Sequence, residues 1–336
     1  MKLIIQIPCL NEAETLPIAL ADLPKQIPGI DVIETLIIDD GSRDETVAVA
    51  RAHGVDHVVG FRGNQGLARA FMLGIQSCLE RGADIIVNTD ADNQYNGADI
   101  EQLVRPILED RADLVIGARP IANIRHFSPI KKLLQKLGSW VVRRVSNTDV
   151  ADAPSGFRAM SREVGFVLNV FSDYTYTLET IIQAGQKNLR VSSVPIRVNG
   201  DLRPSRLVRS ITSYVRRSVL TMLRIFIVYR PLRFFLSMSV PPFLLGLALG
   251  GRFLLYYFQG DGGGHVQSLI LAAVLLLVAF QTMLLAILAD LQSVNRRLLE
   301  DLQQRERARR SGESEGQIAS RHGRSSERPR DWATSA

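Results

Sequence analysis

The chain has 336 residues and a net charge of +6, a length that allows one or two domains plus appendages. Its two cysteines, Cys9 and Cys78, offer no metal or redox spacing, which excludes a disulfide scaffold and fits a reducing, cytoplasmic setting. The opening apolar run is too short for a signal peptide, and no internal repeat is visible.

Residues 3–7 predict a buried strand. Asn11 with Glu14 is a helix-start signature in which the Asn side chain caps the helix and the Glu reaches back. Residues 35–38 predict the next strand, which runs into Asp39-Asp40-Gly41-Ser42. Ser42 with Glu45 predicts a second helix start of the same kind. Residues 55–59 predict a third strand, and Asn64-Gln65-Gly66-Leu67 leads into a helix reaching about Arg81. A fourth strand at 85–87, a helix at 100–109 and a fifth strand at 113–117 follow. Further on, 174–186 predicts a helix carrying Glu179, and 189–196 a strand. This alternation predicts an α/β architecture, a mostly parallel sheet with helices on both faces. Ligands bind such sheets at the carboxyl ends of the strands, where residues 8–12, 39–42, 90–94 and 117–119 fall.

Composition changes near Arg203 and again near Leu291. Residues 203–233 hold eight arginines and no acidic residue, interleaved with apolar side chains. This predicts amphipathic juxtamembrane helices on an anionic cytoplasmic leaflet. A nucleic-acid patch is the alternative, and it loses because the stretch runs straight into apolar spans. Residues 234–258 and 266–289 predict a two-helix transmembrane hairpin, with the second span reaching ~36 Å as helix against a hydrocarbon core of ~30 Å. Arginines on both flanks place the catalytic part and the tail in the cytoplasm. Pro241 and Pro242 predict a kink. Gly246-x-x-x-Gly250 permits close helix approach, within the hairpin or between the protomers of a homo-oligomer. The chain is thus read as 1–202 catalytic, 203–233 juxtamembrane, 234–290 hairpin, and 291–336 a tail that starts helical and is disordered from about Arg309.

The stretch most suggestive of chemistry is Asn88-Thr89-Asp90-Ala91-Asp92-Asn93-Gln94. Carboxylates at i and i+2 with a carboxamide at i+4 can converge on one point, and three oxygen groups suit Mg²⁺ or Mn²⁺. A strand ending in a polar turn is the plainer reading of the same residues. An EF-hand-like calcium loop fails, because its sixth position, Tyr95, must be Gly. There is no P-loop, and the spacing of Gly60, Gly63 and Gly66 is not the dinucleotide pattern.

Residues 3–200 resemble a family 2 glycosyltransferase with the GT-A (Rossmann-like) fold. The likeness is carried by Pro8-Cys9-Leu10-Asn11-Glu12, Asp39-Asp40-Gly41-Ser42-Arg43-Asp44, Asn64-Gln65-Gly66, Asp90-Ala91-Asp92-Asn93-Gln94, Gly117-Ala118-Arg119 and Ser155-Gly156-Phe157-Arg158. With the apolar hairpin added, the chain is most similar to polyprenyl-phosphate hexosyltransferases, the group of dolichol-phosphate mannose synthase. The resemblance implies that Pro8, Leu10, Glu12, Ile38 and Asp40 hold the nucleoside. It implies that Asp90, Ala91, Asp92 and Gln94 serve the donor diphosphate and a metal held by Asp90, Asp92 and Gln94, and that Arg119 faces the phosphates. Arg203 and Arg206 lie where the group has an Arg-x-x-Gly-x-Ser-Lys motif that closes over the donor; here Pro204 follows the arginine and the spacing is shorter.

The chemistry is also marked by something missing. A hydroxyl acceptor needs a general base, and the Gln-x-x-Arg-Trp acceptor motif of the family's processive synthases does not occur here. A phosphate monoester is already an anion at neutral pH (second pKa ~6). Cationic side chains must then bring two anions together, with Arg119, Lys132 and Arg158 the candidates for the acceptor phosphate and Arg125 and Lys131 further ones; an ion-pair role suits Arg158 equally. The expected activity is inverting, metal-dependent transfer of a hexose from a nucleotide-sugar of the GDP-mannose or UDP-glucose type to undecaprenyl or dolichyl phosphate, with Asp90, Asp92 and Arg119 as catalytic residues. The rivals are a hydroxyl acceptor (diacylglycerol or a growing glycan) and a non-catalytic nucleotide-binding membrane scaffold.

Overall fold

In a computed structural model, the structure describes residues 1–120, 129–170, 176–200, 220, 223–224, 227–260 and 262–310. The chain divides into two compact units, one of Met1–Arg216 with Glu300–Ala336 and one of Arg217–Leu299.

The first unit is built on a seven-stranded sheet. In chain order its elements are β1 (Lys2–Cys9), α1 (Leu16–Ala21), β2 (Val32–Asp39), α2 (Thr46–Ala52), β3 (His57–Gly60), α3 (Leu67–Glu80), β4 (Ile85–Asn88), α4 (Ile100–Leu108), β5 (Leu114–Ala118), α5 (Pro129–Ser146), β6 (Arg158–Ser161), α6 (Arg162–Val167), α7 (Thr177–Gln186) and β7 (Val191–Pro195). The strand order is β3-β2-β1-β4-β6-β5-β7. Every pairing is parallel except those of β6, which runs against both β4 and β5. The sequence reading had no strand at β6, since four residues of mixed polarity carry no periodic signal.

The inner strands β1, β4 and β5 are buried on both faces, which is why they read as nearly continuous apolar runs. Leu3, Ile5, Ile7, Ile37, Ile85 and Val87 pack in one core with Leu16 of α1, Ala50 of α2 and Leu103 and Val104 of α4. On the other face α3 lies so close that a Cβ on Gly74 would meet Gln6 and Ile38. The strand order reverses beside β1, so the crevice for a ligand opens at the carboxyl ends of β1 and β4. Cys9 pairs with Asp39, and Gln6 with Asn88, so the loops after β1, β2 and β4 leave from one edge.

Both helix-start expectations are corrected. Asn11 sits at φ 55°, and α1 begins only at Leu16, with Thr15 as its N-cap. The Asn11 side chain instead accepts a hydrogen bond from the Arg43 amide at 2.8 Å, and the Asn11 amide donates to Ser42 Oγ at 2.9 Å. Likewise α2 is preceded by Glu45 rather than capped by Ser42. The two loops satisfy each other across the strand ends, which competes successfully with local capping.

The second unit contains α8 (Pro231–Phe258) and most of α9 (Val266–Arg310). Both are long and apolar enough to cross a membrane. Large side chains such as Leu244, Leu255, Ile270 and Phe280 stand more than half exposed along them, an apolar surface of a kind that marks protein or membrane interaction. The α8 helix runs through Pro241 and Pro242. A Cβ on Gly246 would lie 2.9 Å from Leu276 Cγ, so that glycine is used for close approach within the hairpin. Ala272, Ala279 and Ala286 form a buried small-residue seam at seven-residue spacing on α9. Residues 203–219 and the tail beyond Arg310, for which juxtamembrane helices and disorder are expected, lie outside the described residues.

Candidate active site

The site forms where β4 ends. Gln6 on β1 donates from Nε2 to Asn88 Oδ1 at 2.9 Å, fixing the Asn88 carboxamide. Asn88 Nδ2 then donates to the Gly156 carbonyl and to Tyr176 Oη, each at 2.9 Å. The Gly156 amide donates to Tyr95 Oη at 3.1 Å. All of these side chains are buried. Tyr176 stacks on Phe71 and Tyr95 on Phe157, with ring centroids 3.8 and 5.0 Å apart. The chain is therefore gripped on both sides of Gly156.

Asp90 rests on that glycine. A Cβ at Gly156 would stand 3.2 and 3.3 Å from the two Asp90 carboxylate oxygens and 3.0 Å from Tyr176 Oη. Among the described residues the Asp90 carboxylate accepts no hydrogen bond. Burial, and then the Asp92 carboxylate, push its pKa up to about 7, against the pull of Arg119 and Arg158. Asn93 takes φ 53°, a left-handed conformation that Asn tolerates. That turn lets the Gln94 amide donate to Asp92 Oδ1 at 3.2 Å.

The loop is held from outside by the segment after β7. The Asn199 amide donates to the Gln94 carbonyl at 2.9 Å, and Asn199 Nδ2 to the Asn93 carbonyl at 3.1 Å. Arg197 pairs with buried Asp99 at 2.6 Å, and Tyr95 bridges to Val198.

Arg119 leaves the end of β5. Its Nε donates to Asp152 Oδ2 at 2.7 Å and its Nη2 to Asp152 Oδ1 at 3.1 Å. This bidentate pair is nearly closed to water, at 12% exposure for Arg119 and 1% for Asp152. Its Nη1 has no hydrogen-bond partner among the described residues. Tyr95 and the Asp152 and Asp90 carboxylates raise the Arg119 pKa although burial opposes them, so the guanidinium is a permanent, oriented cation.

Several expected contacts are placed differently. Arg158 is 0% exposed. Its guanidinium donates to the Thr177 carbonyl at 3.2 Å, to Thr180 Oγ1 and to the Ser155 carbonyl, and it lies over the Tyr176 ring. It is enclosed in protein and does not meet an acceptor phosphate; nor is it an ion-pair residue among the described residues. Ile38 is fully buried under α3, so its side chain is not a nucleoside contact. Ala91 likewise points into the core. Asp40 accepts from the Gln65 and Gly66 amides at 2.7 and 3.0 Å, anchoring the loop that opens α3. Glu12 Oε2 accepts from Thr15 Oγ1 at 2.7 Å. Pro8 and Leu10 are half-buried beside it. Arg125, Arg203 and Arg206 lie outside the described residues, and so do the side chains of Lys131 and Lys132 on α5.

The residues that sequence reasoning passed over are Asn88, Tyr95, Asp152 and Tyr176. Asp152 had one signal, as an acid three residues before the Ser155-Gly156-Phe157-Arg158 motif. Tyr95 was noticed only for spoiling a calcium loop, yet its hydroxyl holds Gly156.

The donor set fits a divalent cation. Two carboxylates lie two residues apart just after the strand end, and among the described residues that of Asp90 accepts no hydrogen bond. No group of three or more His, Cys, Asp or Glu side chains that could hold a metal occurs among the described residues; the Gln94 carboxamide and substrate oxygens are candidates for the further ligands. Magnesium-type sites with one or two carboxylates plus phosphates have this character.

Residues 4–165 match the model of glycosyl transferase family 2. The chain is 28% identical over 206 residues to the undecaprenyl-phosphate mannosyltransferase of Micrococcus luteus, covering 58% of this chain and 83% of that one. It is 30% identical over 187 residues to a UDP-N-acetylglucosamine–dolichyl-phosphate N-acetylglucosaminyltransferase of Methanococcus voltae, covering 48% and 73%. Among solved structures, glucosyl-3-phosphoglycerate synthase of Mycobacterium tuberculosis, in complex with Mn²⁺, UDP and glucosyl-3-phosphoglycerate, superposes with a TM-score of 0.51 at 20% identity, over 66% of this chain and 79% of that one. This likeness supports the GT-A fold expected from the sequence.

Proposed function

The chain belongs to glycosyl transferase family 2, and from that premise we propose that it transfers one hexose from a nucleotide-sugar to a polyprenyl phosphate at the cytoplasmic face of a membrane. The observation that carries the reading is the Asp90 carboxylate, which accepts no hydrogen bond among the described residues and interacts with both the Asp92 carboxylate and the clamped Arg119. The relatives named for undecaprenyl and dolichyl phosphate support the acceptor class, and the two apolar helices support a lipid setting.

Asp90, Asp92 and the Gln94 side chain would hold the cation, which when bound supplies positive charge to the departing nucleoside diphosphate. The chain's own residues do the rest by position and charge. Asp152 keeps Arg119 charged and points it, leaving Nη1 to meet an anionic oxygen. Pro8, Leu10, Glu12 and Asp40 line the β1 and β2 ends, where the nucleoside would lie. The acceptor oxygen forms a bond to the anomeric carbon as the bond from that carbon to the diphosphate breaks, which inverts the centre. A phosphate with second pKa ~6 attacks as an anion, so no side chain is required to take a proton.

The test is incubation of membranes containing the protein with a panel of labelled nucleotide-sugars, undecaprenyl or dolichyl phosphate, and Mg²⁺ or Mn²⁺. The expected product is a glycosyl phosphodiester of the prenol, identified by mass and stable to mild saponification. Asp92→Ala should abolish it. A product whose lipid link is stripped by mild alkali would establish a hydroxyl acceptor of the acyl-lipid kind instead.

A further inference from the structure

Helix α5 presents an unusual outer face. Its inner side is closed by Ser139, Val141, Val142 and Ser146, all buried. On the opposite side Lys136, Leu137, Trp140 and Arg144 are exposed. At ~100° per residue these four fall within an arc of about 100°. Leu137 is 44% and Trp140 52% exposed. Other large apolar side chains exposed on this unit, such as Ile18, Val32 and Leu67, sit singly on separate elements and need no explanation.

Charge follows the same face. Residues 129–146 include Lys131, Lys132, Lys136, Arg143 and Arg144 and no acidic residue. Arg143 is turned to the Val150 carbonyl at 3.1 Å. Lys136 and Arg144 have no acidic partner among the described residues. A tryptophan and a leucine flanked by exposed cations suit the boundary between lipid headgroups and acyl chains. There the indole has an apolar side and a wet side, and the cations meet anionic headgroups. A second copy of this chain fits the face poorly, since self-association would bring its own cations together.

We propose that the Lys136–Leu137–Trp140–Arg144 face of α5 is a contact surface for an anionic lipid bilayer, additional to the apolar helices. It does not depend on what the active site transfers. Trp140 and Trp332 are the only tryptophans of the chain, so Trp332→Phe leaves Trp140 as the sole tryptophan reporter. The full-length variant is reconstituted into phosphatidylglycerol or phosphatidylcholine bilayers, with or without bromine on the upper acyl carbons. In the anionic bilayer, Trp140 emission should shift to the blue and be quenched by bromine. Lys136→Glu with Arg144→Glu, both at exposed positions, should reduce the shift and the quenching while circular dichroism stays unchanged. Emission indifferent to bromine overturns the proposal, as does quenching equal in neutral lipid or unmoved by charge reversal. A photo-crosslinker at position 140 that joins two protein chains, without lipid quenching, would make this a self-association face and also overturn it.

Discussion

Asp90 shows how one residue's chemistry depends on what the fold withholds from it. Its carboxylate lies on Gly156, between two phenols whose hydroxyls are tied to that glycine, and takes no hydrogen bond from the described residues. Burial and Asp92 raise its pKa from 3.8 to about 7. Between those values the folded protein binds a proton that the unfolded chain has released, so metal-free stability falls as pH rises through this window. A cation binds the carboxylate form, and its stabilisation grows as the proton leaves. Thermal unfolding of detergent-solubilised protein should therefore show a larger increase in Tm from Mn²⁺ at pH 8 than at pH 6. In Asp90→Asn that difference should shrink. An increase equal at both pH values would contradict this account.

At the scale of elements, the acidic loop is shaped by a partner far away in sequence. The segment after β7 reaches back so that Asn199 bonds to both Asn93 and Gln94. Asn199→Ala removes the side-chain bond to Asn93 while keeping the backbone one. The expected cost is about 1–2 kcal/mol of stability. The loop then has less to hold the Gln94 carboxamide in place, so half-maximal transfer should require more cation. Titration of activity against Mn²⁺ concentration measures this; an unchanged midpoint would separate the segment from the metal site. The helix starts teach a related lesson. Asn11 and Ser42 have the right residue type for caps, but the two loops they occupy meet at adjacent strand ends and bond to each other. Proximity across β1 and β2 is invisible to a local pattern.

For the whole molecule, the apolar helices bear on the solvent in which it works. The α8 and α9 helices are long and apolar enough to cross a membrane, and we propose that they do. Membranes carrying the full-length protein, washed with alkaline carbonate, should retain it in the pellet, and detergent should release it. Appearance in the carbonate supernatant would mean that the helices do not span.

The α/β architecture, six of the seven strands (all but β6) and the two apolar helices were legible in the sequence. Each rests on periodicity, on apolar run length or on short turn motifs, which neighbouring residues encode. The Asp90-Ala91-Asp92-Asn93-Gln94 stretch was legible for the same reason, since its oxygens are two positions apart on one chain. Tertiary structure alone decided which cations remain available. Arg119 and Arg158 look alike as arginines after a glycine-containing motif, yet Arg119 is clamped by Asp152 with one nitrogen unclaimed among the described residues, whereas Arg158 is enclosed by carbonyls and a tyrosine ring. Burial and pairing depend on contacts between residues 19 to 33 positions apart, and no local pattern records which side of a strand those partners will close.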